Sequence, residues 1–265
     1  MTATATATAT AKRGAGRATM AATLAVMAGA LVLGRSSPAR AQAYTVDEAR
    51  SFRSPQHFAF EFRMGPYRPD IDSEFSSGRK PYETFFHGRH LMTQIELDWQ
   101  FFHRYGSLAV GAGVGYFSTT ANNPSVKTTG LTADTSNLRL IPFSLSLVYR
   151  YDYLFQDRQI PLVPYAKAGF DYSLWRVLDA NGEVATDALG GQGAGGVLGW
   201  HAAVGVSLVL DFIDPDAARS FDDELGVNHT HLFFEFSHAD ISGLGEPNKI
   251  HLGDTTWSLG ILFEF

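Results

Sequence analysis

From Phe58 onward, apolar and polar residues alternate one by one, and this period of two limits the possible folds more than any other feature of the sequence. The first segment, FAFEFRM from Phe58 to Met64, carries apolar side chains at its even positions, with Glu61 and Arg63 between them. Successive side chains of a strand point to opposite faces. The segment therefore predicts a β-strand with one apolar face and one charged face.

The same alternation returns in seven further segments. They cover residues 91–102, 108–116, 141–151, 166–174, 200–212, 232–237 and 257–265. A soluble antiparallel sandwich would also alternate, but soluble strands average about five or six residues. A tilted strand needs about ten residues to cross the hydrocarbon of a bilayer. We therefore predict an all-β fold, a transmembrane antiparallel up-and-down β-barrel of eight strands.

Aromatic residues gather near the ends of these segments, where membrane barrels carry girdles at the two interfaces. They are Tyr67, Trp99, Phe101, Tyr116, Tyr149, Tyr151, Tyr172, Trp175, Trp200, Phe212 and Trp257. This distribution also favours a membrane barrel.

The connections alternate in length, as expected for long outer loops and short periplasmic turns. The outer connections would be 68–90, 119–137, 176–197 and 239–253, and the periplasmic ones 103–106, 152–161 and 213–228. The last periplasmic connection is longer, and Asp214-Pro215 ahead of residues 216–225 predicts a short helix with Pro in its first turn.

The first 41 residues have the three parts of a signal peptide. Three basic residues precede an apolar run from Ala21 to Leu33, and small-x-small cleavage sites end at Ala41 and Ala43. The run is shorter than the roughly 20 residues of a membrane anchor, although an uncleaved anchor or a buried helix is the alternative. We predict a cleaved signal peptide at 1–41, a short periplasmic lead-in at 42–56, a barrel at 57–265, and location in the outer membrane.

The charge of the exported chain argues against a nucleic-acid partner. There are 27 acidic and 21 basic residues; five of the basic ones lie within 1–41, leaving 16 against 27, a formal charge of −11. The chain has no cysteine, so neither disulfides nor a lipid-modified cysteine are expected. No cofactor is predicted.

The polar face would fill the barrel, because eight strands leave an interior just wide enough for side chains. Buried charges need partners, so we predict an interior ionic network in which the basic residues pair with acids. Its members are Glu61, Arg63, Glu96, Asp98, Arg150, Lys167, Asp171, Glu235 and Glu264, with His201 and Asp211 on the same face. Gly111, Gly113 and Gly115 would leave room for large neighbours. A proton or ion path through these charges is the alternative.

The last strand ends in an aromatic residue, a pattern that resembles the signal recognised by the outer-membrane barrel assembly machinery. The residues concerned are Trp257, Leu259, Ile261, Phe263 and Phe265. The resemblance implies that this machinery and outer-membrane lipids are partners of the chain.

Four local motifs extend the resemblance over the whole barrel. They are Gly65-Pro66-Tyr67 with Asp70 and Asp72, Glu96-Leu97-Asp98-Trp99, Pro164-Tyr165-Ala166-Lys167-Ala168-Gly169 and Phe233-Phe234-Glu235-Phe236-Ser237. With these motifs the chain resembles a myxobacterial family of small outer-membrane β-barrels without an assigned activity, similar in architecture to the OmpA and OmpX type. The resemblance implies no catalytic site.

Three functions stay open. The first is a structural or interaction role through the outer loops, and the second is a narrow channel for small solutes. The third is a lipid A-modifying enzyme, because Phe236-Ser237-His238-Ala239-Asp240 faintly resembles the His-x-Ser-Asn motif of lipid A deacylases. Asp240 stands where that motif has serine, and a carboxylate cannot replace a seryl nucleophile; Ser237 would point to the opposite face from His238. We therefore expect no enzymatic activity.

Two other readings of the sequence compete with these predictions. Asp70, Asp72 and Glu74 could hold Ca²⁺, and His229 and His231 could share a metal, but the former fit a solvated acidic loop and the latter lack a third ligand. Residues 188–210 carry no formal charge and could be a transmembrane helix. Their many glycines disfavour a helix, so a glycine-rich loop leading into the sixth strand is predicted.

Overall fold

A computed structural model describes residues 56–75, 78–122, 135–158, 160–179, 181–186, 191–247 and 249–265. The predicted signal peptide and nearly all of the lead-in lie outside these residues, so both stay predictions.

Eight strands form one closed antiparallel barrel, in which each strand pairs with its neighbours in the chain and β8 pairs with β1. The strands are β1 (Phe58–Tyr67), β2 (His90–His103), β3 (Ser107–Asn122), β4 (Thr135–Arg150), β5 (Leu162–Leu178), β6 (Ala194–Val209), β7 (His229–Asp240) and β8 (Asp254–Glu264). The predicted fold class is confirmed. Backbone N–H groups of His57 and Phe58 donate to the carbonyl of Phe265, which fastens the seam where the ring closes.

The middle strands are longer than the alternation indicated. Strands β3 to β6 each have 16 or 17 residues, so the outer connections predicted at 119–137 and 176–197 are too long. At these ends the outward side chains become polar, for example Thr120 and Asn137. The alternation of apolar and polar residues therefore ends before the backbone pairing of the strands does.

Short helices occupy three of the connections. They are α1 (Pro81–Phe85) in the first outer loop, α2 (Tyr153–Arg158) and α3 (Pro215–Leu225) in periplasmic turns. The helix predicted after Asp214-Pro215 is confirmed: the Asp214 carboxylate accepts from the Ala217 N–H at 3.0 Å, and Gly226 ends the helix at φ 71°. Among the described residues, no helix is long and apolar enough to cross a bilayer.

The two faces of the strands separate as the alternation predicted. Outward apolar side chains are open to the surroundings, with Phe170 60% and Trp99 55% exposed, whereas inward Glu96 and Lys167 are 1% and 3% exposed. The stretch that could have been a transmembrane helix contains β6 instead, so that alternative is wrong.

Two of the predicted girdle residues point into the barrel. Tyr67 is buried and Trp175 packs partly buried against an interior cluster. Each of them is an even number of residues away from the inward charged residues of its strand, so its side chain points to the same face. The alternation along the strand, rather than the position at a strand end, decides which face a side chain occupies.

A bulge in β2 interrupts the alternation, so the face predicted for Phe102 is wrong. The pairing with β3 shifts between Gln100 and Phe102, so both Phe101 and Phe102 face outward instead of only Phe101. An extra residue in one strand changes which face the following side chain occupies.

The closed ring leaves no unpaired strand edge, and its exterior is an apolar belt. In the hydrocarbon of a bilayer, backbone N–H and C=O groups must form hydrogen bonds within the protein, and a closed barrel meets that requirement. A water-soluble barrel would not expose such a belt around its whole circumference. The protein is an outer-membrane β-barrel.

Gly169 provides a test of strand closure. A Cβ atom there would lie 2.1 Å from the carbonyl oxygen of Leu145 on β4, closer than real atoms approach. We expect Gly169→Val to force β4 and β5 apart, to lower stability by about 3 kcal/mol, and to reduce the folded fraction in heat-modifiable electrophoretic migration. The control is Ala168→Val, which introduces the same side chain on the exposed outer face. Equal folding of the two variants would contradict this geometry.

Candidate functional site

A layer of buried charges crosses the middle of the barrel. It contains three cations, Arg63, Arg150 and Lys167, and four carboxyl groups, and all seven are less than 8% exposed. The carboxyl groups are those of Glu61, Glu96, Asp98 and Glu235. These residues belong to five different strands, and all of them point inward at one level of the barrel. Gly111 makes room for them, because a Cβ atom there would lie 2.3 Å from Asp98 Oδ1.

Each cation binds at least two carboxylates. Arg63 donates to Glu235 Oε1 at 2.9 Å and to Glu96. Lys167 Nζ lies 2.5 Å from Glu61 Oε2 and 3.4 Å from Glu96 Oε1.

Arg150 extends the layer across the ring. It donates to Glu61 Oε1 at 2.6 Å and to Asp98. Glu61 is therefore shared by Lys167 and Arg150, and the layer is one continuous network rather than a set of separate pairs.

Two of the nine predicted network residues bond elsewhere. Asp171 accepts from His201, and Glu264 lies at the periplasmic end beside Gln100 and His231. Asp211 lies in the turn after β6, outside the ring.

The charged layer separates two cavities. The outer cavity measures about 90 Å³, and Arg63, Lys167 and Glu235 form its floor. The periplasmic cavity measures about 60 Å³, and Arg150 and Glu264 line it. Among the described residues none lines both of these cavities, and the charged layer lies between them.

An apolar cluster lies at the outer end of the barrel interior, and its members Tyr67, Leu140 and Ile241 also line the outer cavity. Tyr82, carried by α1, is 1% exposed and inserts among side chains from several strands and from the last outer loop. The cluster members are Tyr67, Tyr82, Phe117, Leu138, Leu140, Val197, Ile241 and Leu252. The Tyr67 and Phe117 rings meet edge to face at 4.9 Å, and the Tyr67 hydroxyl donates to the Leu252 carbonyl.

A hydrogen-bonded row of Asp171, His201 and Ser146 lies on the wall of the outer half. His201 Nδ1 is 2.8 Å from Asp171 Oδ2, and His201 Nε2 is 3.2 Å from Ser146 Oγ. His201 reaches across β5 because Gly169 stands between them in the register and has no side chain.

The row has the residue order of a hydrolytic triad, but Ser146 is 2% exposed and does not line the cavity. A substrate carbonyl therefore has no approach to its hydroxyl. The sequence alone does not indicate this row, because its members come together only through the register of three neighbouring strands.

Two His–carboxylate pairs lie at the periplasmic end. His229 Nδ1 is 2.5 Å from Asp211 Oδ2, and His231 Nε2 is 3.3 Å from Glu264 Oε2. Burial alone would raise the pKa of Asp211, but the hydrogen bonds from His229 and from the Thr230 N–H outweigh it, and the pKa is lowered.

The first and last outer loops are tied together by polar contacts. Arg89 forms a bidentate pair with Asp254 at 2.6 and 3.0 Å, and Ser73 Oγ lies 2.9 Å from His251 Nδ1. Arg68 binds Asp72 at 2.9 Å and Glu83 at 3.0 Å.

These contacts also bear on the metal sites considered from the sequence. Asp72 accepts from the Tyr82 N–H at 2.7 Å, and Glu74 accepts from the His251 N–H. Within the described part of the chain, no group of three His, Asp or Glu residues could hold a metal ion.

The deacylase-like motif on β7 is divided between the two faces of the wall. His238 is exposed on the lipid-facing side of the wall, where its Nδ1 lies 2.7 Å from Thr255 Oγ1. Ser237 points into the barrel and lines the outer cavity. The two side chains do not form a pair.

Neither a known protein family nor a curated protein sequence matches the chain. Several solved structures do. The outer membrane protein OprG from Pseudomonas aeruginosa is 13% identical, with a TM-score of 0.44, over 79% of this chain and 96% of that chain.

Two further solved structures match at similar length. Neisserial surface protein A is 13% identical, with a TM-score of 0.42, over 80% and 98% of the two chains. Ail, the attachment invasion locus protein of Yersinia pestis, is 9% identical, with a TM-score of 0.38, over 79% and 97%. The assignment as an outer-membrane barrel rests on the closed ring and its two faces rather than on these distant matches.

Removing one cation tests the charged layer. Arg150→Met removes the guanidinium group that binds the carboxylates of Glu61 and Asp98. Breaking a buried ion pair in this way costs about 3–5 kcal/mol. We expect the free energy of unfolding from lipid vesicles, measured by urea titration, to fall by that amount. Adding Asp98→Leu should recover part of the loss, because fewer charges then stay unpaired. A single variant as stable as the wild type would show that the layer does not stabilise the barrel.

The Asp211–His229 pair predicts a loss of stability in acid. A carboxyl group whose pKa is lowered in the folded state stabilises it above its unfolded pKa of about 3.9, and this contribution disappears as the pH falls through the folded value. The stability difference between wild type and Asp211→Asn should therefore be largest above about pH 5 and shrink towards pH 2. Asp216→Asn, on the exposed side of α3, is the control; a difference that grows in acid would contradict the assignment.

Proposed function

We propose that the protein is a sealed outer-membrane barrel that acts through its outer loops, as a structural or interaction protein, and that no solute passes through it. One observation carries this proposal: the charged layer divides the interior into two separate cavities. A hydrated ion would have to displace several ion pairs at once, each of them buried where breaking a pair is costly.

Contacts at the outer end of the barrel also support the proposal. The Ser73–His251 contact joins the first outer loop to the last, and the Arg89–Asp254 pair joins the first loop to the start of β8. Tyr82 anchors α1 in the barrel mouth. Groups held in place before binding lose less conformational entropy when a partner docks. An ordered outer surface is therefore suited to contact rather than to gating.

Planar-bilayer recording tests the sealed interior. We expect folded protein to insert without unitary current steps, because the layer and the apolar cluster both block the interior. Reproducible steps from folded wild-type protein would replace this proposal with the alternative of a narrow channel.

A variant distinguishes the two barriers. Tyr82→Ala opens the apolar cluster but leaves the charged layer intact, so it should stay silent as well. Current steps that appear only in this variant would show that the apolar cluster is the barrier. The charged layer would then no longer support the proposal.

The proposal includes no catalytic step. Its second test is release of fatty acid from lipopolysaccharide by the purified barrel, with His238→Ala as the comparison. We expect no release from either protein. Release by the wild type that disappears in His238→Ala would establish a lipid-modifying enzyme instead.

A further inference from the structure

Two arginines face outward at the outer end of the barrel, side by side. Arg139 on β4 and Arg176 on β5 are direct cross-strand partners in the register, and both are exposed. Like charges placed directly opposite each other on neighbouring strands destabilise a sheet. The pair therefore costs stability unless an anion neutralises it.

Among the described residues, most of the hydrogen-bonding capacity of the two guanidinium groups is unused. Arg139 donates through Nε to Asn137 Oδ1 at 2.9 Å, and Asn137 is held in turn by the hydroxyls of Ser118 and Thr120. This contact orients the Arg139 guanidinium and leaves its two terminal nitrogens without a partner among the described residues. Within the same residues, Arg176 forms neither a hydrogen bond nor an ion pair.

The pair stands at the height of lipid headgroups. Immediately below it on the same face lie Ile141 and Leu174, the outermost exposed apolar residues of their strands. The outward stretch of β5 from Leu162 to Leu174 covers about 40 Å along the strand and about 30 Å along the barrel axis at the usual tilt. That length matches the hydrocarbon thickness, so Arg176 lies just beyond it, at the outer interface.

We propose that Arg139 and Arg176 bind the phosphate of a phosphorylated lipid in the outer leaflet. Guanidinium groups bind phosphate oxygens in bidentate geometry, with stronger hydrogen bonds than neutral donors make. The apolar surface of Ile141, Leu174 and Tyr172 directly beneath the pair would receive the acyl chains. A free phosphate ion would make no use of that surface.

The test measures lipid binding to the folded barrel in neutral detergent by native mass spectrometry. The probes are lipid A and the same lipid after enzymatic removal of its phosphates. We expect wild-type barrel to bind lipid A at least about tenfold more tightly than the dephosphorylated form, as expected for the loss of a charge-assisted hydrogen bond. Equal binding of the two lipids would overturn the proposal.

The variant carrying Arg139→Gln and Arg176→Gln should lose that preference for lipid A. Arg104→Gln is the matched control, because Arg104 is an exposed arginine in the turn between β2 and β3 at the opposite end of the barrel. The control should bind as the wild type does. A double variant that keeps the full preference, or a control that loses it equally, would rule out this pair as the site.

Two further measurements keep the outcome decisive. Heat-modifiable migration must show that the variants are folded, and the single variants repeat the test if the double variant is not. Inorganic phosphate equimolar with lipid A should leave the lipid bound, because the ion lacks the acyl contacts. Displacement of the lipid under these conditions would identify a site for free anions and overturn the assignment to a lipid.

Discussion

The barrel depends on the pairing of charges that have no access to bulk water. An eight-stranded ring leaves room inside for side chains but not for a solvated channel, and every second residue of each strand must point into it. Glu61, Glu96, Asp98 and Glu235 are acceptable there only because Arg63, Arg150 and Lys167 lie at the same level. Opposite charges drawn from five strands compensate one another at the centre of the ring.

That constraint also determines what the interior can do. A network that satisfies its charges occupies the cross-section, and it leaves one small cavity on each side. Tyr82 and its apolar neighbours pack at the outer end of the same interior. The Asp171–His201–Ser146 row has suitable distances, but Ser146 is buried and does not line the outer cavity. The outer loops and the lipid-facing rim are the surfaces through which we propose that the protein acts.

Alternation predicted which residues face inward, because parity along a strand does not depend on its partners. The nine residues of the predicted network are all buried, and seven of them meet in one layer, whereas Asp211, assigned to the same face, lies in the turn after β6. Where strand ends were used instead of parity, the prediction failed: Tyr67 and Trp175 were placed in the girdles but point inward. The bulge after Gln100 could not be predicted either, since it depends on how β2 pairs with β3.

The sequence by itself determined the strand count, the two faces and the identity of the buried charges, since these follow from a local period of two. Tertiary structure alone decided which charges pair, because the relative shift of neighbouring strands sets the height of each side chain in the ring. The same shift lets His201 reach Ser146 over Gly169 and places Arg139 opposite Arg176. Contacts between strands far apart in the chain leave no periodic trace in a single sequence.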